Sequence, residues 1–274
     1  MTGPGERVLA AFGLTGRPVP LPGGQGRTWA VADAVLQPSR GAVADRWTAE
    51  TTAGLVEDGF RVARPLRPGD GWTVDGWTAW TRVAGEHRTW DADWPVALEV
   101  AVRLHRALRG AARPPHLDDR TDVFARADRC AWGEAEIDAG GAVGAGLTHL
   151  RRWRTPLDLP AQVVHGDVAG NLLWADEAPP AVIDLSPSWR PGGLGAAQVV
   201  VDAVLWYGAD VSLAELFLEH EPAAGRQLVL RALMFRLAID ALLADGADGD
   251  VRWSPDQVLW DLERADPLVR WLGR

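Results

Sequence analysis

The chain has 274 residues, of which 47% are hydrophobic and 24% charged, a composition typical of a globular protein that buries a substantial core. A formal net charge of −9 argues against a general nucleic-acid binder, which needs a basic face, and no apolar run is long enough to cross a bilayer. A single cysteine excludes an internal disulfide, and because no secretory leader pattern is present we expect a cytoplasmic protein.

The first 84 residues predict a small, mostly antiparallel sheet that carries one helix. A short helix over residues 5–14 precedes a glycine-rich turn that contains Gly23, Gly24 and Gly26. Such a turn between two strands can lay backbone N–H groups over phosphates, although paired glycines more often only make a turn. The pattern then indicates a helix over residues 43–57 and strands over residues 62–66, 72–74 and 77–83.

From residue 85 the pattern becomes helical, and Ala84-Gly85-Glu86 is the expected hinge. Residues 96–108 place apolar side chains at every third or fourth position, which is the period of an amphipathic helix. We therefore predict an N-lobe over residues 1–84 and a helical C-lobe over residues 85–274. Further helices are expected over residues 123–132, 143–153, 194–207, 213–220, 224–244 and 255–272.

Two short strands inside the C-lobe are expected to deliver polar residues to one edge. The first strand runs through Val163 and Val164 towards Asp167 and Asn171, and the second ends at Asp184. Carboxylate and amide oxygens in this arrangement suit a hard cation such as Mg²⁺, with one carboxylate left to take a proton. The alternative for each of them is a polar turn residue that caps backbone groups. A loop is expected over residues 185–193.

The small sheet with its Gly-rich loop, the hinge, the helical part and the segment His165-Gly166-Asp167 together resemble the aminoglycoside phosphotransferase and choline kinase branch of the protein-kinase-like superfamily. Val182-Ile183-Asp184 is similar to the metal-binding segment of that branch. The chain also resembles an actinobacterial subfamily of these kinases through Leu21-Pro22-Gly23-Gly24 and Trp189-Arg190-Pro191. The resemblance implies an α+β, protein-kinase-like fold with two lobes.

The resemblance also implies an ATP- and Mg²⁺-dependent transfer of phosphate to a hydroxyl of a sugar, an aminoglycoside-like compound or an amino alcohol. Asp167 would accept or orient the proton of that hydroxyl, and Asn171 and Asp184 would hold Mg²⁺ against the phosphates. The partner is then a small-molecule acceptor, with no nucleic acid and no membrane involved, and the oligomeric state is left open. The nucleotide-binding residues would be Gly23, Gly24, Gly26 and Gln37.

Three features differ from the family pattern. Gln37 occupies the position expected to supply a phosphate-binding lysine, and the whole chain contains no lysine, so Glu50 lacks the cation it would pair with. The spacing from Asp167 to Asn171 is one position shorter than usual, and we expect it to turn Asn171 away from the metal. Leu185-Ser186-Pro187 follows the metal aspartate without a second acidic residue.

These differences keep other functions open. One is a degenerate, kinase-like protein that binds a nucleotide or metabolite without phosphotransfer, and another is a peptide Ser/Thr kinase. By the resemblance, His165 would brace the catalytic loop and Asp202 would accept backbone N–H bonds from it. The face of Trp189 could hold either a sugar or a cationic amine.

Overall fold

An antiparallel sheet of five strands forms the N-lobe of the protein, whose computed structural model describes residues 3–22, 26–88, 90–246 and 253–274. The strands of this part are β1 (Val19–Pro20), β2 (Trp29–Val31), β3 (Ala34–Pro38), β4 (Arg61–Val62), β5 (Pro65–Leu66) and β6 (Trp77–Thr81). All but β4 join the sheet, in the order β1-β2-β3-β6-β5. The antiparallel N-lobe predicted from the sequence is confirmed.

Two helices accompany this sheet, α1 (Glu6–Ala11) and α2 (Ala42–Ala53). Val8 and Leu9 of α1 pack with sheet residues in a small separate core. The prediction for α2 ran four residues too far, because Gly54 caps the helix behind two β-branched threonines. The predicted strand over residues 72–74 was also wrong. Only Val74 bridges to Trp77 there, across a two-residue turn.

The C-lobe is helical, as predicted. Its helices are α3 (Trp94–Ala107), α4 (Val123–Trp132), α5 (Gly141–Arg151), α6 (Gly193–Tyr207), α7 (Ser212–His220), α8 (Gly225–Ala244) and α9 (Pro255–Leu272). Helix α8 is the centre of this lobe and packs against α4, α5, α6, α7 and α9. It is apolar on nearly every side, as expected for a helix enclosed by other helices. No helix within the described ranges has the length and apolarity needed to span a membrane.

Four short strands surround the segment that carries the predicted site residues, namely β7 (Ala161–His165), β8 (Leu172–Ala175), β9 (Ala178–Val182) and β10 (Pro187–Pro191). Strand β10 forms an antiparallel ladder with β7, so the loop predicted over residues 185–193 was wrong in its centre. The prolines at both ends of β10 concealed it, since proline is confined to strand ends and edges. Strand β8 pairs with β9.

Backbone hydrogen bonds connect the hinge and the N-lobe to strands of the C-lobe. Glu86 exchanges both backbone hydrogen bonds with Trp174 of β8, at 2.8 and 2.9 Å. Gly85 before it has φ +135°, and a side chain there would lie 2.9 Å from the carbonyl oxygen of Trp174. Strand β4 of the N-lobe also pairs in parallel with β9. The hinge therefore rests directly on the strands of the site, whereas the exact boundary after residue 84 stays a prediction.

Helices α3 and α6 meet through a histidine and a glycine. His105 is buried, its Nδ1 donates to the carbonyl oxygen of Ala101 at 2.6 Å, and its Nε2 accepts the backbone N–H of His165 at 3.0 Å. Burial lowers the pKa of His105 to about 4, so the ring is neutral at pH 7. A Cβ on Gly195 of α6 would lie 2.0 Å from this ring, so only glycine fits against it.

We expect Gly195→Ala to destabilise the protein, because a methyl group cannot enter the space held by the His105 ring. The free energy of unfolding in urea should fall by about 1–3 kcal/mol, the usual cost of overpacking a core. Gly110→Ala is the matched control, since a Cβ at Gly110 meets nothing within 4 Å. Equal stability of the two variants would contradict the close contact between α3 and α6.

Candidate functional site

The loop between β7 and β8, which we call the catalytic loop after its predicted role, is held in shape by His165. Its Nδ1 accepts the backbone N–H groups of Asp167 and Ser186, both at 3.3 Å, and its Nε2 donates to the carbonyl oxygen of Ile183 at 3.3 Å. The ring is buried, and burial lowers its pKa, which keeps Nδ1 free to accept. The bracing role expected for His165 is confirmed.

Asp167 and Asn171 bond to each other across this loop. The side-chain nitrogen of Asn171 donates to the carbonyl oxygen of Asp167 at 2.8 Å and to its carboxylate at 3.0 Å. The short spacing therefore directs the amide nitrogen towards the aspartate. The backbone of Asn171 also accepts the N–H of Ile183 at 3.0 Å, which brings Asn171 beside Asp184.

A buried arginine that the sequence analysis did not single out lies under the catalytic loop. Arg236 of α8 bonds to both carboxylate oxygens of Asp202, at 2.7 and 2.5 Å, and reaches Asp167 at 3.3 Å and the carbonyl oxygen of Gly166 at 3.4 Å. The partner expected for Asp202 was a backbone N–H, and that expectation was wrong. Burial raises the pKa of Asp202 to about 6, although the guanidinium of Arg236 opposes this shift.

Asp184 is reached by an arginine from the opposite lobe. Nη2 of Arg40 forms an ion pair with its carboxylate, and Nη1 donates to the carbonyl oxygen of Leu185 at 3.4 Å. Asp184 has φ +52°, in the left-handed region that aspartate tolerates better than most residues. The contact places the permanent positive charge of Arg40 beside the carboxylate that is predicted to bind a metal.

The turn that presents Arg40 is held by Asp45, at the start of α2. The buried carboxylate of Asp45 accepts bonds from the Ser39 hydroxyl, the backbone N–H of Arg40 at 3.0 Å and the Thr73 hydroxyl at 3.0 Å. Glu50, which lacks the lysine it would pair with, is exposed to solvent and is not part of the cleft lining, whereas Asp45 of the same helix is.

A cavity of about 770 Å³ lies between the lobes. Its walls contain Gln37 and Arg40 from the N-lobe, the hinge residue Glu86, and Asn171 and Asp184 from the C-lobe. Within the glycine-rich turn, Gly26 has φ +68° and is exposed, whereas Gly23 and Gly24 lie outside the described residues. The structure thus brings Gln37, Asn171 and Asp184 to one cavity, and their roles stay predictions.

A second groove, of about 510 Å³, lies on the other side of the catalytic loop. Asp167 and Arg236 form part of its floor, and Trp189 and Arg190 of β10 form part of its wall. Asp167 therefore faces a space distinct from the one that contains Asp184. The loop over residues 166–171 separates the two.

The residues of the cleft fit Mg²⁺ only in company with a phosphate-bearing ligand. Asp184 and Asn171 can supply a carboxylate and an amide oxygen, and no cluster of three or more His, Cys, Asp or Glu side chains occurs within the described ranges. Mg²⁺ is usually held by one or two carboxylates together with substrate phosphates and water. This pair therefore suits a metal that arrives with a nucleotide better than a metal held by the protein alone.

Comparison with solved structures places the fold. A thermostable mutant of aminoglycoside phosphotransferase APH(4)-Ia, in a ternary complex with AMP-PNP and hygromycin B, is 19% identical with a TM-score of 0.60, and 98% of each chain is covered. A choline/ethanolamine kinase family protein from Mesorhizobium loti is 16% identical with a TM-score of 0.61, covering 96% of this chain and 90% of that one. The chain has the fold of the aminoglycoside phosphotransferases and choline kinases.

Choline kinase LicA from Streptococcus pneumoniae shares the same architecture at 11% identity, with a TM-score of 0.61 over 98% of this chain and 97% of that one. Neither a family model nor a curated protein sequence matches the chain. The protein-kinase-like fold predicted from the sequence is confirmed over nearly the whole length. The likeness to the actinobacterial subfamily stays a prediction.

Two further buried carboxylates of the C-lobe, those of Asp240 and Asp261, lie near each other, and Asp240 is also close to Arg236. Asp240 of α8 has one carboxylate oxygen with no hydrogen-bond partner, and Asp261 of α9 accepts bonds from Trp206 and Gln257, both at 3.1 Å. Burial and the nearby Asp261 raise the pKa of Asp240 to about 8. Asp240 therefore holds a proton in the folded protein at neutral pH.

Asp240→Asn is expected to become more stabilising, relative to wild type, as the pH rises. The folded protein keeps a proton on Asp240 that the unfolded chain loses near pH 4, so wild-type stability is lost as the pH rises from about 4 to about 8. The difference should grow by up to about 1.4 kcal/mol for each pH unit in that window. Urea unfolding between pH 5 and 8 measures it. The control is Asp245→Asn, an exposed residue at the end of the same helix, and a constant difference for Asp240→Asn would contradict the prediction.

Proposed function

We propose that the protein transfers the γ-phosphoryl group of ATP to a hydroxyl of a small molecule, with Mg²⁺ bound. The observation that carries the proposal is the position of the catalytic loop between two spaces. Asn171 and Asp184 face the interlobe cavity, and Asp167 faces the second groove. A nucleotide and an acceptor placed in these spaces would meet at the loop, which is the arrangement that in-line phosphoryl transfer requires.

The chemistry asked of each residue is limited. The bond between the γ-phosphorus and the bridging oxygen of ATP breaks as the acceptor oxygen bonds to that phosphorus, and ADP leaves. Asp167 takes the proton of the acceptor hydroxyl, while Asn171 and Arg236 fix the direction of its carboxylate. Asn171 and Asp184 would hold Mg²⁺, which supplies neutralisation of the phosphate charge. We also place the protein in the cytoplasm, in keeping with its buried, unpaired Cys130.

Arg40 is our candidate for the cation that contacts the phosphates. Arg40 lies three positions after Gln37, on a turn fixed by Asp45. Its guanidinium reaches across the cavity to Asp184. Arginine binds phosphate oxygens in pairs and stays charged at any physiological pH. In this proposal the guanidinium exchanges the carboxylate of Asp184 for phosphate oxygens when Mg²⁺ and nucleotide enter.

The same contact favours a second function, which is nucleotide or metabolite binding without transfer. Arg40 neutralises Asp184, and Gln37 offers no charge in the position of the usual lysine. If the ion pair persists when ligand is bound, Asp184 has only its second carboxylate oxygen to offer Mg²⁺. Binding with no turnover is the outcome that distinguishes this candidate from the first.

The first test combines binding and turnover. We expect ATP with Mg²⁺ to raise the melting temperature of the wild type, and acceptor-dependent ADP release to fall by about 10²- to 10⁴-fold in Asp167→Asn with little change in ATP binding. Asp266→Asn is the matched control, because Asp266 lies on α9 in an exposed ion pair with Arg270. No rise in melting temperature with ATP or GTP would refute phosphotransfer and nucleotide binding alike, and a rise without turnover would select the second function.

The second test concerns the missing lysine. Arg40→Gln should weaken ATP about tenfold or more, because a charged hydrogen-bond donor to the phosphates is lost. Gln37→Lys should tighten ATP, and in the Arg40→Gln background it should restore part of the lost affinity. Isothermal titration with AMP-PNP and Mg²⁺ measures both effects. Tighter binding in Arg40→Gln would show that the arginine competes with nucleotide instead of binding it.

A further inference from the structure

The second groove, which we call the acceptor groove, contains four carboxylates, and each one is already paired with an arginine. Asp167 pairs with Arg236 as described above. Asp118 receives two bonds from Arg113, at 2.6 and 2.7 Å. The remaining two, Asp128 and Glu134, share a single arginine of β10, Arg190. No carboxylate in the lining of the groove is left without a cation.

Arg190 is held by two acids and an aromatic ring. Its Nε and Nη2 bond to Asp128 at 3.0 and 2.6 Å, and its Nη1 and Nη2 bond to Glu134 at 2.5 and 2.8 Å. The guanidinium also lies over the Trp132 ring, 4.9 Å from its centroid. A ligand could displace this guanidinium only by breaking several contacts at once. We therefore expect Arg190 to keep its position when a ligand binds.

The pairing changes what the two acids can offer. The hydrogen bond from Arg190 lowers the pKa of Glu134, and burial raises the pKa of Asp128 against the opposing effect of Arg190. The carboxylate oxygens of both acids accept hydrogen bonds from Arg190. An ammonium group that entered the groove would therefore find no free carboxylate and would meet the charge of Arg190.

Two further arginines, Arg120 and Arg129, also line the groove, and the rest of the lining is aromatic, aliphatic or neutral polar. Phe124, Trp189 and Phe235 contribute ring surfaces, and Phe124 is about half exposed. The hydroxyl of Ser188 and the side-chain carbonyl of Gln198 are buried at this groove without hydrogen-bond partners. Aromatic faces pack against the apolar side of a sugar ring. The Ser188 hydroxyl can donate to or accept from a ligand hydroxyl, and the Gln198 carbonyl can accept from one.

We propose that Arg190 determines the acceptor class by neutralising Asp128 and Glu134, so that the groove takes a neutral, hydroxyl-rich compound and excludes cationic amines. This inference rests on the proposed phosphotransfer, since it names the acceptor of that same site. The hydroxyl to be phosphorylated lies at Asp167, and the remaining hydroxyls bond along β10 and α6. Selection comes from charge, and shape then chooses among neutral compounds.

Removal of the arginine charge is the direct test. In Arg190→Gln the two acids lose their cation, so choline and hygromycin B, used as cationic probes, should bind at least about tenfold more tightly than to wild type. A panel of neutral sugars, cyclitols and nucleosides should contain ligands of the wild type, and their affinity should not rise in the variant. Arg270→Gln removes the same charge from an exposed pair on α9 and should leave the preference unchanged.

Binding is measured by titration calorimetry with AMP-PNP and Mg²⁺ present, and turnover by ADP release with ATP and the same compounds. Because binding is read separately, absent turnover refutes the proposed function alone. A wild type that prefers the cationic probes, a panel without any neutral ligand, or an unchanged preference in Arg190→Gln would each overturn the assignment of Arg190. Glu134→Gln, at the more exposed end of the cluster, is a milder second variant and should weaken cationic probes further.

Discussion

The guanidinium of Arg236 is the interaction on which the arrangement of the site depends. It is buried in α8, the helix at the centre of the C-lobe, and it joins Asp202 of α6 to Asp167 of the catalytic loop. Loss of one member of a buried, bonded set of charges leaves the others uncompensated, which is far more costly than loss of an exposed pair. The helical core and the loop therefore hold each other in place. The direction of the Asp167 carboxylate follows from helix packing and not from the loop alone.

Because the chain contains no lysine, arginine supplies the positive charge in each ion pair described around the site, and this determines the geometry of those pairs. Arg40 reaches Asp184 from a turn, Arg236 links two aspartates, and Arg190 holds two acids at once. A guanidinium forms a planar fork with five donors, two more than an ammonium group, so it can bridge several acceptors in a fixed geometry. The site is consequently a network of shared contacts, in which the removal of one arginine alters several carboxylates.

The elements could be predicted from local signals, and the two-lobed fold followed from the resemblance of their order and of His165-Gly166-Asp167 to a known family. Helical periodicity marked the C-lobe, and the short apolar strands around His165 and Asp184 marked the loop. The contacts of the site were less accessible, since Arg236 and Asp202 are 34 positions apart and meet only through the packing of α6 on α8. One signal was present and unused. A charged residue on the buried face of an apolar helix, such as Arg236 or Asp202, requires a buried partner. Strand β10 was missed because its prolines read as a loop.

Because its backbone is left-handed, the presence of Asp184 is not by itself a sign of catalytic activity. At φ +52° a side chain other than Gly, Asn or Asp is strained, whatever the site does chemically. Selection for folding alone would therefore favour Gly, Asn or Asp here, so an aspartate can persist in a lineage that has lost catalysis. A survey of descendants that counts intact aspartates at this position would overstate the number of working enzymes among them. The informative positions are those with ordinary backbone geometry, where only chemistry can retain the residue.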